Sequence, residues 1–200
     1  MNIYQYFNKD FINKYSFVRY YARQEVIAIE GNECNYIGFI DDGNIIISTL
    51  SYQDKEEIIN TLHEHQFFGN NLLFASQNYY LGTVIAKEHT RIRFFTKDNF
   101  LILLENKEFL KAYLRFVSDE AMQTKNQAKL LAHKNIRDRI MFYLKEEARK
   151  KRSNTIHIRS ITYLSSLLSL PRPSVAREIK NMRDDGLITY NNKTITIVLP

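Results

Sequence analysis

The sequence predicts an α+β chain in three parts: an N-terminal β-barrel or roll, one long helix, and a C-terminal winged helix-turn-helix. Three observations predict it. From Tyr20 to Thr96, short β-type runs alternate with turn signals. From Lys107 to Ala132, apolar or small residues recur at heptad spacing. From Ser160 onward, two helical runs flank a tight turn and lead into a hairpin.

The bounds agree with that class. A chain of 200 residues with 44% hydrophobic content can bury a real core and is not disordered by composition. No apolar run approaches the ~18 residues of a membrane span. The N-terminal run "MNIYQYFNKDFINKYSF" is broken by charged and polar residues, which argues against a signal peptide. A cytoplasmic location is expected. Cys34 is the one cysteine, so an internal disulfide and a cysteine-ligated cluster are both excluded.

The β part reads as follows. "EVIAI" ends at Glu30-Gly31, and "YIGFI" runs into "DDGN", where Asp42-Gly43 predicts a hairpin turn before "IIIST". "EEIINTL", a turn near "HEHQ", "LGTVIA" and "TRIRFF" follow. After Phe95 the period becomes helical, with "KDNFLILLEN" as a short helix before the long one. On the long helix, Leu110, Leu114, Val117, Ala121, Thr124, Ala128 and Leu131 advance by steps of four and three. That seam fits a partner helix, and a homodimer is expected; the alternative is packing on the chain's own β domain. Tyr113 and Phe116 lie off the seam, on the side available to cover the β domain. Beyond a break at "AHKN", Asn135 caps the next helix with Asp138 in the capping-box position. Ile136, Ile140, Tyr143 and Leu144 share one side of it. The terminal "RKKR" (Arg149 to Arg152) is accounted for by the negative end of the helix dipole.

Charge is uneven. Residues 133–200 hold 14 Lys/Arg and 6 Asp/Glu, net +8, whereas residues 1–132 sum to −2. A basic surface in the last third points to an anionic partner, nucleic acid first, against the plain alternative of a solvated basic face. Ser160 is an N-cap for "ITYLSSLLSL", with Leu164, Leu167 and Leu168 as its buried residues. Pro171 and Pro173 then bracket Arg172. A residue before proline is steered from helical dihedrals, and proline is tolerated at the first helical position. Pro173 is therefore expected to open the second helix, with Arg172 at its cap. In helix-turn-helix proteins this end faces base edges in the major groove. Ser174 and Arg177 follow on the next turns, and Val175, Ile179 and Met182 form the buried side. Gly186 stops the helix, and "LITY" and "TITIV" flank the turn "NNK". The candidate DNA-binding residues are Arg172, Ser174, Arg177, Ser160, Lys180 and Lys193.

With these motifs in this order, the chain resembles the Crp/Fnr family of bacterial transcription regulators over nearly its whole length. The parts are a cyclic-nucleotide-binding-type β-roll over 1–106, a dimerisation helix over 107–132 and a winged helix-turn-helix domain over 133–200. The strongest match is "LPRPSVAREIKNMRDDGLITYNNKTITI"; "EVIAIEGNECNYIGFIDDGNIII" and "FFGNNLLF" match more loosely. The resemblance implies a sequence-specific DNA-binding regulator that is a homodimer on an inverted-repeat operator. Arg172 and Arg177 are then base or phosphate contacts, and RNA polymerase is a further expected partner. Many members carry a cytosine-reading glutamate after the first arginine; here that position is Pro173.

In cyclic-AMP-binding members the phosphate cassette reads Phe-Gly-Glu-Leu, followed by Arg-Ser-Ala. Without gaps, Asn70 falls on the glutamate, Tyr80 on the arginine and Leu81 on the serine. Control by cyclic AMP or cyclic GMP is therefore not expected. Arg91 and Arg93, on one side of "TRIRFF" with Ile92 inward, are expected to face solvent. No cofactor is expected, and an effector, if the protein has one, is open. His63-Glu64-His65 offers two ligands and no third, so no metal site is expected. No nucleophile, base and orienter form a set, so an enzyme is not expected. A dimeric scaffold using the winged helix for protein contact is the competing class; Arg172 and Arg177 on an exposed basic helix face separate the two.

Overall fold

The computed structural model describes residues 1–198. It divides into two compact units, Met1–Asp119 and Glu120–Pro200, with the boundary inside the long helix. The last two residues of the expected C-terminal domain lie outside the described residues.

The first unit opens with a 3-10 turn, Ile3–Gln5, and helix α1 (Lys9–Lys14), capped by the Asn8 side chain. Eight strands follow: β1 (Phe17–Tyr21), β2 (Val26–Ala28), β3 (Ile37–Asp42), β4 (Ile45–Leu50), β5 (Glu56–Leu62), β6 (Phe67–Phe68), β7 (Thr83–Ala86) and β8 (Thr90–Phe95). They form two four-stranded antiparallel sheets, β1-β8-β3-β6 and β2-β7-β4-β5, which make a roll. The turn at Asp42-Gly43 is not a hairpin. It passes the chain from one sheet to the other, because β3 pairs with β8 and β6 whereas β4 pairs with β5 and β7. Gly43 takes φ +88°, and a Cβ there would lie 2.7 Å from the His89 carbonyl oxygen, so the crossing needs glycine.

Strand alternation sorts the core into two layers. Ile40, Ile92, Phe94 and Phe68 fill the roll with Ile45 and Val84. Their neighbours Ile37, Phe39 and Phe95 face the other way. There they meet Ile3, Ile12, helix α2 (Lys97–Leu104, capped by Thr96) and the start of helix α3 (Lys107–Ala132). Phe109 and Tyr113 are buried in that layer and Phe116 packs against it.

This outer layer overturns the expectation for Arg93. Ile92 does point inward, but the opposite face is not all solvent, because residues 1–16 fold back over it. Arg93 is 8% exposed. Its Nη2 lies 3.1 Å from Asp41 Oδ2, and its Nη1 donates to Asn13 Oδ1 at 3.0 Å and Ser16 Oγ at 2.9 Å. The Tyr4 hydroxyl donates to Asp41 Oδ1 at 2.6 Å. Only Arg91 stays exposed.

The second unit holds the end of α3, then α4 (Ile136–Lys151), β9 (Thr155–His157), α5 (Ile161–Leu167), α6 (Arg172–Asp184), β10 (Ile188–Asn191) and β11 (Thr194–Ile197). Its three strands run β10-β11-β9, all antiparallel. Asn135 accepts from the Asp138 amide at 2.7 Å and donates back to Asp138 Oδ2 at 2.6 Å, a reciprocal cap for α4. Ile140, Leu144, Ile156, Leu164, Leu168 and Ile179 share one core. Leu167 is only half-buried; Ser165 takes the inward position instead, its hydroxyl donating to the Thr162 carbonyl at 2.8 Å. Among the described residues no helix is long and apolar enough to cross a membrane.

Candidate nucleic-acid interface

Helix α5 starts where Ser160 Oγ accepts from the Tyr163 amide at 3.0 Å. It ends at a sharp turn in which Ser169 adopts φ +52° and the Leu170 amide donates to the Ser165 carbonyl. The Pro171 carbonyl then accepts from the amides of Ser174 and Val175, at 3.0 and 3.1 Å. Pro171 is therefore the cap, and Arg172 is the first helical residue, one position earlier than expected. First-turn amides have no intrahelical partner, so a proline just inside the start costs the helix no bond. That tolerance outweighs the pre-proline preference for extended dihedrals at Arg172.

Burial of Val175, Ile179 and Met182 sets the rotation of α6 about its axis. Arg172, Arg177 and Lys180 are consequently exposed, and Ser174 is half-buried. The acidic groups of this region are already occupied. Arg137 on α4 reaches Glu178 Oε1 at 2.6 Å and Asp185 Oδ2 at 2.7 Å, and Arg183 pairs with Asp184 at 3.1 Å. The hydrogen bond to Glu178 holds the Arg137 guanidinium above its ordinary pKa against some desolvation, and Asp185 adds a smaller rise. Among the described residues, Arg172, Arg177, Lys180 and Lys193 enter no ion pair. The "RKKR" run is different: Arg149 pairs with Glu146 and Lys150 with Glu147 one helical turn back.

The hairpin turn has Asn192 at φ +44° and Lys193 at φ +65°, the two left-handed residues that a two-residue hairpin needs. Lys193 is exposed at its tip. The Ile158 amide donates to the Lys193 carbonyl at 2.8 Å, which brings the start of α5 against the hairpin turn. Ser160, Lys193 and the exposed Arg159 thereby cluster. The Arg159 guanidinium lies 5.0 Å from the Tyr163 ring centroid, a cation–π contact. Sequence reasoning missed Arg159, because the three-residue strand β9 that carries it to the turn is too short to show alternation. The Ser160 hydroxyl is half-buried and already serves as the cap.

On α3 the seam positions Leu114, Val117, Ala121, Thr124, Ala128 and Leu131 are exposed, and Leu110 is half-buried. In the roll, Asn70 is buried and Leu81 is 66% exposed. Tyr80 is buried, and its phenol is pushed far above the ordinary value by burial and by the neighbouring Cys34 thiol. Phe68 lies flush on Gly38, where a Cβ would fall 2.0 Å from the ring. Phe68 thus occupies the space a side chain at position 38 would need.

Residues 18–107 match the family model of the cyclic nucleotide-binding domain. Solved structures share the architecture of nearly the whole chain. The catabolite activator protein of Thermus thermophilus aligns with a TM-score of 0.57 at 16% identity, covering 98% of this chain and 93% of that one. The c-di-GMP responsive global regulator CLP of Xanthomonas campestris gives 0.53 at 17% identity, covering 96% and 98%. A CooA mutant from Carboxydothermus hydrogenoformans gives 0.59 at 16% identity, covering 98% and 91%. No curated protein matches the sequence. The roll is of the cyclic nucleotide-binding class. The whole chain is similar in fold to these solved proteins.

Proposed function

We propose that this chain is a dimeric, sequence-specific DNA-binding transcription regulator, not controlled by cyclic AMP. One observation supports the proposal: among the described residues, α6 presents Arg172, Arg177 and Lys180 without an ion pair, while Glu178, Asp184 and Asp185 are each paired to an arginine. A scaffold surface has no need of such one-signed exposure. Helices α5 and α6 are read as a helix-turn-helix and β10–β11 as its wing, within a DNA-binding domain spanning 133–200. Arg172 reads a base edge from the start of α6, with Ser174, Arg177 and Lys180 following the groove. Arg159, Ser160 and Lys193 hold phosphates beside the wing.

Residues 107–132 are read as the dimerisation helix over a 1–106 roll. The exposed seam is covered by the same seam of a second copy, and two-fold symmetry then makes the operator an inverted repeat. Cyclic AMP is excluded by charge. Its buried phosphate needs a cation, and Tyr80 supplies none.

The test is a mobility shift on site-selected duplex across a salt series. Affinity is expected to fall linearly with log salt, with a slope of roughly −0.9 per phosphate neutralised. Failure of the wild type to bind any duplex at low salt would refute the proposal.

A further inference from the structure

The start of α4 carries two arginines, Arg137 and Arg139, which at this spacing reach different neighbours. Arg137 holds α6 through Glu178 and Asp185. Arg139 is half-buried and enters no ion pair among the described residues. Its partners are backbone carbonyls instead. Its Nη2 donates to the His133 oxygen at 3.0 Å and the Leu131 oxygen at 3.4 Å, and its Nη1 donates to the Leu168 oxygen at 3.3 Å.

These three oxygens belong to two helix ends. Helix α3 stops at Ala132, so Leu131 lies in its last turn and His133 just past it. Leu168 is the C-cap of α5. The last carbonyls of a helix lack an intrahelical donor and carry the negative end of its dipole. One guanidinium, a fixed charge with donors in a rigid fork, answers both ends at once. Leu168 also opens the turn that starts α6, where Ser169 takes φ +52° and Pro171 is the cap. At the end of α3, the His133 ring lies 4.9 Å from that of Phe142 on α4, and Leu130 is buried with Ile140 and Leu144. Arg139 adds to these ties a link from the end of α3 to the turn before α6.

We infer that Arg139 is a positioning residue for operator spacing: its three carbonyl bonds fix α6 relative to the seam positions Ala121, Thr124, Ala128 and Leu131, which belong to the same compact unit. The inference rests on the proposed reading of α3 as the dimer helix and α6 as the groove helix. In a two-fold dimer the seam lies on the axis, so the offset of α6 from the seam, taken twice, becomes the distance between half-sites. One extra base pair moves the second half-site by about 3.4 Å and turns it by about 35° around the duplex. A rigid tie rejects that displacement, and a loose one absorbs it.

The test compares the full wild-type chain with Arg139→Gln, which loses the charge and the fork. Mobility shifts are run on a half-site duplex and on inverted repeats at the best spacing and one base pair longer or shorter. The variant should bind the half-site within about twofold of wild type, bind the best full site about tenfold more weakly, and lose most of its preference among spacings. Equal losses on half-site and full site would make Arg139 merely structural, and an unchanged spacing profile would also overturn the inference. A second readout needs no DNA, so it separates this inference from the reading it rests on. Spin labels at Lys125→Cys and Lys180→Cys, in a Cys34→Ala background diluted with unlabelled chain, report the distance from α3 to α6. A narrow wild-type distribution that broadens in Arg139→Gln is expected; equal widths overturn the inference. If Arg139→Gln does not fold, Arg139→Lys, which keeps the charge but not the fork, is read by the same two measurements.

Discussion

Substituting Asp41 with alanine tests how the N-terminal segment is held. The Asp41 side chain is 1% exposed and that of Arg93 is 10%, with 3.1 Å between them. Removing one partner of a buried ion pair typically costs about 3–5 kcal/mol, because the other charge stays buried. Arg93 keeps two neutral acceptors, Asn13 and Ser16, which places the loss at the lower end of that range. The Tyr4 hydroxyl loses its charged acceptor as well, but Tyr4 is only half-buried and water takes its place, so that loss adds no more than about 1 kcal/mol. Exposed Arg91, at 3.7 Å, adds little. The expected total is about 3–4 kcal/mol, a large share of the about 5–15 kcal/mol that a domain has. In a urea titration followed by circular dichroism, the midpoint of the roll should drop by about 1–3 M at unchanged slope. Asp41→Leu combined with Arg93→Met should recover most of the loss, since a packed apolar pair replaces a buried ionic one without stranding charge. A loss below about 1 kcal/mol, or a double variant as unstable as the single, would refute the buried charge as the cause.

Arg172→Ala should cost about 1–3 kcal/mol on the best site and flatten sequence preference; equal losses on specific and random duplex in mobility shifts would reduce Arg172 to a phosphate contact. Leu114→Glu with Val117→Glu should give a folded monomer by analytical ultracentrifugation. A wild type that occupies a full inverted-repeat site with only linear dependence on protein concentration would remove the dimer. Calorimetry with cyclic AMP should show no binding, and a micromolar dissociation constant with a matching gain in DNA affinity would reveal a phosphate site that the Tyr80 argument overlooks.

What was legible in the sequence was local. The heptad steps gave α3 its limits, Lys107–Ala132, because the side-chain period and the Asn135 cap both act within a few residues. The stripe Val175, Ile179 and Met182 gave the buried face of α6 for the same reason. Partner choice was not legible. Asp42-Gly43-Asn44 has hairpin chemistry, yet whether the next strand pairs with the last or crosses to a second sheet depends on residues dozens of positions away. Arg93 shows the same limit. Alternation placed it opposite Ile92, but nothing local says that residues 1–16 cover that face and supply Tyr4, Asn13 and Ser16. β1 was missed until Tyr20 because Phe17 to Arg19 follow a helical turn without a glycine or proline to mark the change.

The seam and the α6 surface bear on each other through their energies. Leu114, Val117 and Leu131 are 56%, 36% and 48% exposed, together roughly one and a half apolar side chains, each worth about 1.5–3 kcal/mol on full burial. Two protomers then gain about 4–8 kcal/mol from these positions, against about 4–15 kcal/mol lost in translation and rotation. Ala121, Thr124 and Ala128 add little area, although small side chains let two helices approach closely. A seam of this composition holds a dimer weakly without help. On the proposed reading DNA would supply the help: an inverted repeat would fix two protomers about one helical turn apart and turn their association into a local event at raised effective concentration. Occupancy of a full site should therefore rise with the square of protein concentration below the dimer constant, and occupancy of a half-site should rise linearly. On that reading the seam would set the concentration at which α6 acts, and Arg172 would set where.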